Sequence, residues 1–152
     1  MGIEKDIQQV HFVSDKQKAL INLLYTYGWV IEKIKNSLSK DDITHQQYNI
    51  LRILRGSLPK PLSTLQIRER MLDRMSDTSR IVDRLVIKGL VKKSTCSTDK
   101  RLVDVVITEN GQKLLKKIDA EVDHVAAIMG NLSDQEAKAL SDLLDKLRNG
   151  TE

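Results

Sequence analysis

The sequence predicts a mainly helical α+β chain with one two-stranded hairpin set between helices. Three observations carry that expectation. Four tetrapeptides of the form Ser/Thr-x-x-Gln/Glu begin at Ser14, Thr44, Ser63 and Ser133, each ahead of an apolar-periodic run. In such a capping box the hydroxyl accepts an orphan backbone N–H three residues on, and the Gln or Glu reaches back. Two runs rich in β-branched residues, Leu90–Cys96 and Arg101–Ile107, flank the polar turn Ser97-Thr98-Asp99-Lys100, as in a hairpin. Only two prolines and seven glycines interrupt 152 residues, which favours helix over an all-β design.

The first helix is expected over Lys16–Leu38. Leu20, Leu24, Tyr27, Ile31, Ile34 and Leu38 form a heptad-like seam, and Ile21, Tyr25, Gly28 and Trp29 add a second apolar face. Two apolar faces imply more than one packing partner. The second helix, His45–Arg55, is apolar around much of its girth and so central. Leu58-Pro59-Lys60-Pro61 is a stiff connector, since proline fixes φ and disfavours helix before it. A short third helix starts at Ser63 and ends near Met71, burying Leu65, Ile67 and Met71. The fourth starts near Ser76 with Asp77 in its first turn, where an acid suits the helix dipole. Its buried stripe is Ile81, Val82, Leu85 and Val86, and Gly89 stops it as the residue after the C-cap. After the hairpin, Thr108 caps a fifth helix whose stripe runs from Leu114 to Met129. Gly130-Asn131 breaks it. A sixth, Asp134–Leu147, turns Ala137, Leu140, Leu143, Leu144 and Leu147 inward.

Composition narrows the function classes. The length suits one domain with a real core. With 40% hydrophobic and 30% charged residues the chain is globular, and at 3% aromatics its core must be aliphatic. No run approaches the roughly 20 apolar residues of a membrane span, so no membrane partner is expected. The N-terminus, with early acids and no apolar stretch, does not resemble a signal peptide. A single cysteine, Cys96, forbids an intramolecular disulfide and suits a cytoplasmic location. His11, His45 and His124 are far apart, and no cluster has metal-ligand spacing. No nucleophile elbow, P-loop or dinucleotide fingerprint is present, so neither catalysis nor a cofactor is expected.

Charge is uneven. Residues 44–104 hold 13 Lys/Arg against 6 Asp/Glu, while the rest of the chain holds 12 against 15. The basic stretch coincides with a short helix, a turn, a polar-faced helix and a hairpin. That order is a helix-turn-helix followed by a wing. The second helix of such a pair enters the major groove with its N-terminal residues toward base edges. Here they are Ser76, Asp77, Thr78, Ser79 and Arg80, with Arg84 one turn on. Small hydroxyls permit close approach, and Arg can fork onto guanine. A solvated charged surface accounts for the same composition without DNA.

Several motifs, in order, resemble the MarR family of winged-helix regulators. They are Ser79-Arg-Ile-Val-Asp-Arg-Leu-Val-Ile-Lys-Gly-Leu-Val91, Asp99-Lys-Arg101 and Ile107-Thr-Glu-Asn-Gly111, with Ile107 where the family usually has Leu. The resemblance covers nearly the whole chain. It implies a homodimer on double-stranded DNA, joined by helices within 14–40 and 108–148, with residues 44–107 as the DNA-binding lobe. It implies that Arg101 enters the minor groove, that Asp99 orients Arg101 or pairs with Arg84, and that Lys100 serves phosphates. Ser63, Thr64 and Arg68 would add contacts from the third helix. Met71-Leu-Asp-Arg-Met75 departs from the pattern, because many relatives carry glycine or proline in that turn. Many relatives also bind a small aromatic effector, for which Tyr25, Trp29, His45 and Tyr48 are the candidate lining. Repression is the family's habit. Two alternatives stand beside this reading: a winged helix that binds protein rather than DNA, and a thiol-redox regulator using Cys96. Thiol-sensing relatives keep their cysteine near the start of the first helix, and this chain has none there.

Overall fold

Capping chemistry sets where most of the helices begin. The structure, a computed structural model, describes residues 2–150. It divides into two compact units between Ser37 and Leu38.

The first unit holds α1, Ile3–Asp6, which no sequence signal announced, and most of α2, Asp15–Leu38. Ser14 Oγ accepts the Gln17 N–H at 3.1 Å, as expected. The Gln17 carboxamide instead accepts from Val13 N at 2.7 Å, one residue earlier than a capping box requires. The Lys18 ammonium pairs with the Glu4 carboxylate and ties α1 to α2. Leu20, Leu24 and Tyr27, half of the heptad seam, are exposed.

The second unit opens with a 3-10 turn, Ser39–Asp41. It continues through α3 His45–Ser57, β1 Leu62–Ser63, α4 Thr64–Arg70, α5 Thr78–Ile87, β2 Val91–Thr95 and β3 Val103–Ile107. It closes with α6 Glu109–Glu121, α7 His124–Met129 and α8 Asp134–Asn149. Thr44, Ser63 and Ser133 each make the full reciprocal capping box. The core gathers Ile50, Leu51 and Leu54 of α3, Ile67 of α4, Val82 and Leu85 of α5, Val105 of β3, and Leu115 and Ile118 of α6. Arg55 to Asp119 at 2.6 Å and Lys117 to Asp41 at 2.8 Å fasten α6 to α3 and to the 3-10 turn.

The expected hairpin forms, β2 against β3, and β1 joins it in a three-stranded antiparallel sheet ordered β1-β3-β2, with Leu62 opposite Val105. Four expectations need correction. The expected fifth helix is two helices. Val122 is extended (φ −138°, ψ 123°), and the Asp123 carboxylate restarts the chain by accepting the Ala126 N–H at 3.0 Å. An Asp side chain offers the backbone an alternative to the helical ladder. Asp77 is the N-cap of α5 and accepts the Arg80 N–H at 3.3 Å, so the helix begins at Thr78. Leu65 and Val86, assigned to buried stripes, are exposed. Leu140, Leu143 and Leu147 of α8 are exposed too.

Candidate nucleic-acid interface

The turn between α4 and α5 holds its shape without glycine or proline. Asn49 Oδ1 on α3 accepts the Leu72 N–H at 3.0 Å. Asp73 Oδ1 accepts the Met75 N–H at 3.0 Å, and Asp73 O accepts the Ser76 N–H at 3.3 Å. The Met75 N–H and then the Ser76 hydroxyl hold the Asp73 carboxyl below its ordinary pKa. This turn sets the N-terminus of α5 beside α4 across a groove of about 490 Å³.

Six residues expected on DNA line that groove: Thr64, Arg68, Ser76, Asp77, Thr78 and Ser79. Thr78 is only 4% exposed. It shares the inward face of α5 with Val82 and Leu85, one and two turns on, so it floors the groove and does not reach outward. Arg80 is exposed beyond the groove. Ser63 is held as the N-cap of α4, its Oγ accepting the Gln66 N–H at 3.1 Å. Arg84 is not part of the groove; it lines a separate hollow with Thr44, Gln47 and Lys88. Sequence reasoning missed two lining residues, Leu65 and Met75. The unusual Met71–Met75 segment was the available signal.

At the end of α5 a Schellman motif closes the helix. Gly89, at φ +72°, donates its N–H to Val86 O at 2.9 Å, and Leu90 donates to Leu85 O at 3.0 Å. Thr108 stitches that corner to the wing base. Its hydroxyl donates to Gly89 O at 2.7 Å and accepts the Gly111 N–H at 3.1 Å, while its own N–H donates to Leu90 O at 3.0 Å. Lys93 on β2 reaches Asp83 on α5 at 2.7 Å, a second tie between wing and helix.

At the wing tip Asp99 meets Arg101, not Arg84. Asp99 Oδ1 accepts Arg101 N and Nε, and Oδ2 accepts Nη2, all at 3.0 Å. The guanidinium holds the Asp99 carboxyl below its ordinary range, and the same bond raises the Arg101 pKa. The Arg101 side chain is 90% exposed, so the fork is aimed at solvent. Lys100, beside it, is also exposed.

The effector candidates fall in both units. Tyr25 and Trp29, on α2, are exposed. Tyr48 on α3 is buried, with its ring edge-on to His124 at 5.6 Å and Arg52 stacked at 5.7 Å. His45 is half-buried in the first turn of α3. Burial, then the Arg52 charge, depresses the His124 pKa. Cys96 lies at the wing with Sγ 3.2 Å from Thr98 Oγ1. That hydroxyl and the Asp99 and Thr98 backbone hold the thiol below its ordinary pKa, against burial and the Asp104 charge. Alkylation of Cys96 by iodoacetamide is therefore expected to reach half its maximal rate at a lower pH in the native chain than in the denatured one. Coincident midpoints would remove this reading of the thiol. Among the described residues no His/Cys/Asp/Glu cluster is placed to hold a metal, and no helix is long and apolar enough to cross a membrane.

A helix-turn-helix backed by α3, with a charged wing, defines the class of winged-helix DNA-binding proteins. The family model of MarR matches residues 43–103. A MarR transcription factor from Planctomyces limnophilus is 33% identical, over 89% of this chain and 98% of its own, with a TM-score of 0.67. A mutant MarR from E. coli complexed with operator DNA is 24% identical, over 91% and 99%, with a TM-score of 0.78. Bordetella bronchiseptica BpsR, whose DNA binding is regulated by 6-hydroxynicotinic acid, is 20% identical, over 82% and 94%, with a TM-score of 0.69. The chain belongs to the MarR family of DNA-binding transcription regulators.

Proposed function

We propose that this regulator acts as a homodimeric repressor on a pseudo-palindromic operator. The groove between α4 and α5 carries the reading, because it gathers Thr64, Arg68, Ser76, Asp77 and Ser79 on one surface of a basic lobe. In this reading Ser79 and Arg80 face base edges, Arg101 enters the minor groove from the wing, and Ser63, Arg84 and Lys100 serve nearby phosphates. Arg84 is the least favoured of these, since it lines a different hollow. Exposed apolar residues on α2 and on α8 support pairing of two chains through those helices. Two-fold symmetry would then set the recognition helices roughly 34–36 Å apart. The regulated relative BpsR supports a small aromatic acid as the releasing effector.

Selection of duplexes from a random-sequence pool tests the proposal. A dimer making about six phosphate contacts should lose roughly a thousand-fold in affinity between 50 and 200 mM salt. Failure to retain random duplex or heparin at low salt would favour a protein-binding lobe. Sedimentation of the free chain as a monomer at micromolar concentration would remove the dimer.

A further inference from the structure

The DNA-facing groove holds two large apolar side chains that folding does not explain. Leu65, in the first turn of α4, is 60% exposed, and Met75, in the turn before α5, is 93% exposed. Both line the groove between α4 and α5. Leu72, in the same turn, is 88% exposed but lies outside the groove lining. Met75 is not there through slack in the chain. Its own N–H is fixed by Asp73, the following residue by the Asp73 carbonyl, and the start of the turn by Asn49. Leu65 follows directly from the Ser63 capping box, which sets the first turn of α4. Two rigidly placed anchors thus present apolar surface beside the exposed Asp77 and Ser79.

The surroundings select what can cover that surface. Arg68 lines the groove with Asp77, and Arg70, Arg74 and Arg80 are exposed nearby in sequence; none of the four arginines has an ion-pair partner among the described residues. A purely apolar protein patch would bury or crowd uncompensated guanidinium groups. A duplex supplies phosphates for the cations and, in its major groove, one apolar projection, the C5-methyl of thymine. Methionine is unbranched and polarisable, and adapts to such a small target.

We infer that Leu65 and Met75 read thymine methyl groups, and so require A·T pairs at two defined positions of each half-site. This rests on the DNA-binding reading above. It adds a specificity contact from the turn and from α4 to the polar contacts of the recognition helix. Sugar contacts would engage the same side chains without sensing the base, and the test separates the two.

The probe is the tightest duplex recovered by selection with the wild-type chain, with each thymine replaced singly by deoxyuridine, which lacks only the methyl. Wild-type binding should weaken about four-fold at one or two positions per half-site, the effect of one buried methyl. Met75→Ala should bind more weakly and become indifferent at one of those positions, and Leu65→Ala at another. Met75→Leu should keep the preference, and Leu72→Ala should resemble wild type. The inference is overturned if no thymine is sensitive in the wild type. It is equally overturned if sensitivity survives in both alanine variants, or if Leu72→Ala loses it as fully as Met75→Ala. If selection recovers no duplex at all, the DNA-binding reading fails and this inference with it.

Discussion

Replacing Gly111 with alanine is expected to lower the stability of the chain by about 3 kcal/mol, a large effect for one methyl group. An added Cβ would stand 2.3 Å from Leu90 O and 2.6 Å from Ile107 Cγ1. The first contact is backbone and cannot swing aside. Leu90 O is already fixed by the Thr108 N–H, and Thr108 by Gly89 and Gly111. The clash must therefore be relieved by moving α6 away from the wing base. Gly56→Ala is the control: nothing lies within 4 Å of its Cβ, and a helical glycine replaced by alanine gains about 0.5–1 kcal/mol. Guanidinium unfolding of the two variants beside wild type decides the matter. A Gly111→Ala midpoint equal to wild type would mean that the close approach is not a constraint.

Replacing Arg101 with alanine is expected to weaken operator binding by about 10- to 100-fold, the range of hydrogen bonds to a charged group. Its side chain is almost fully exposed and touches only its own wing, so the oligomeric state and melting temperature should stay unchanged. The Asp99→Asn variant should fall between wild type and Arg101→Ala, because the amide keeps a bond to the guanidinium without its charge. Asp99 is depressed below its ordinary pKa, so the fork is complete at neutral pH. It is lost only as pH falls through that lowered value. Arg101-dependent affinity should therefore be flat across neutral pH. Electrophoretic mobility shifts with the selected duplex would show this, and unchanged affinity of Arg101→Ala at moderate salt would remove the wing from the interface.

What could be read from the residues divides by range. Thr44, Ser63, Ser133 and Thr108 marked helix starts correctly because a cap is local chemistry within four residues. Gly89 marked a helix end for the same reason. β1 was not legible. It has two residues, and what makes it a strand is Val105, some forty residues on. The break at Val122 was hidden because apolar residues keep helical phase from Leu114 to Met129, and only the Asp123 cap interrupts them. In the groove between α4 and α5, polar identity misled about exposure at Thr78, where position on the helix face outweighs the hydroxyl. It misled in the opposite sense at Leu65, where an apolar side chain faces out. Asp99 was legible as a partner of Arg101 or of Arg84; the structure pairs it with Arg101, two positions on in the same tight turn.

The last helix, α8, buries none of its sixteen residues within its own chain. A helix of that length is marginal in water even where local interactions favour it. Here they do: the Ser133–Glu136 box closes the first turn, Lys138 meets Asp142 at 2.6 Å, and Arg148 pairs with Asp145 near the end. Acids lead and bases trail, matching the dipole. Such exposed pairs contribute a few tenths of a kcal/mol each and the cap about 1 kcal/mol, so the apolar stripe of Leu140, Leu143 and Leu147 still needs a cover to hold the helix wound. Association there would therefore complete the ordering of the segment as well as bury the stripe, and its strength should respond to the helix-forming tendency of α8.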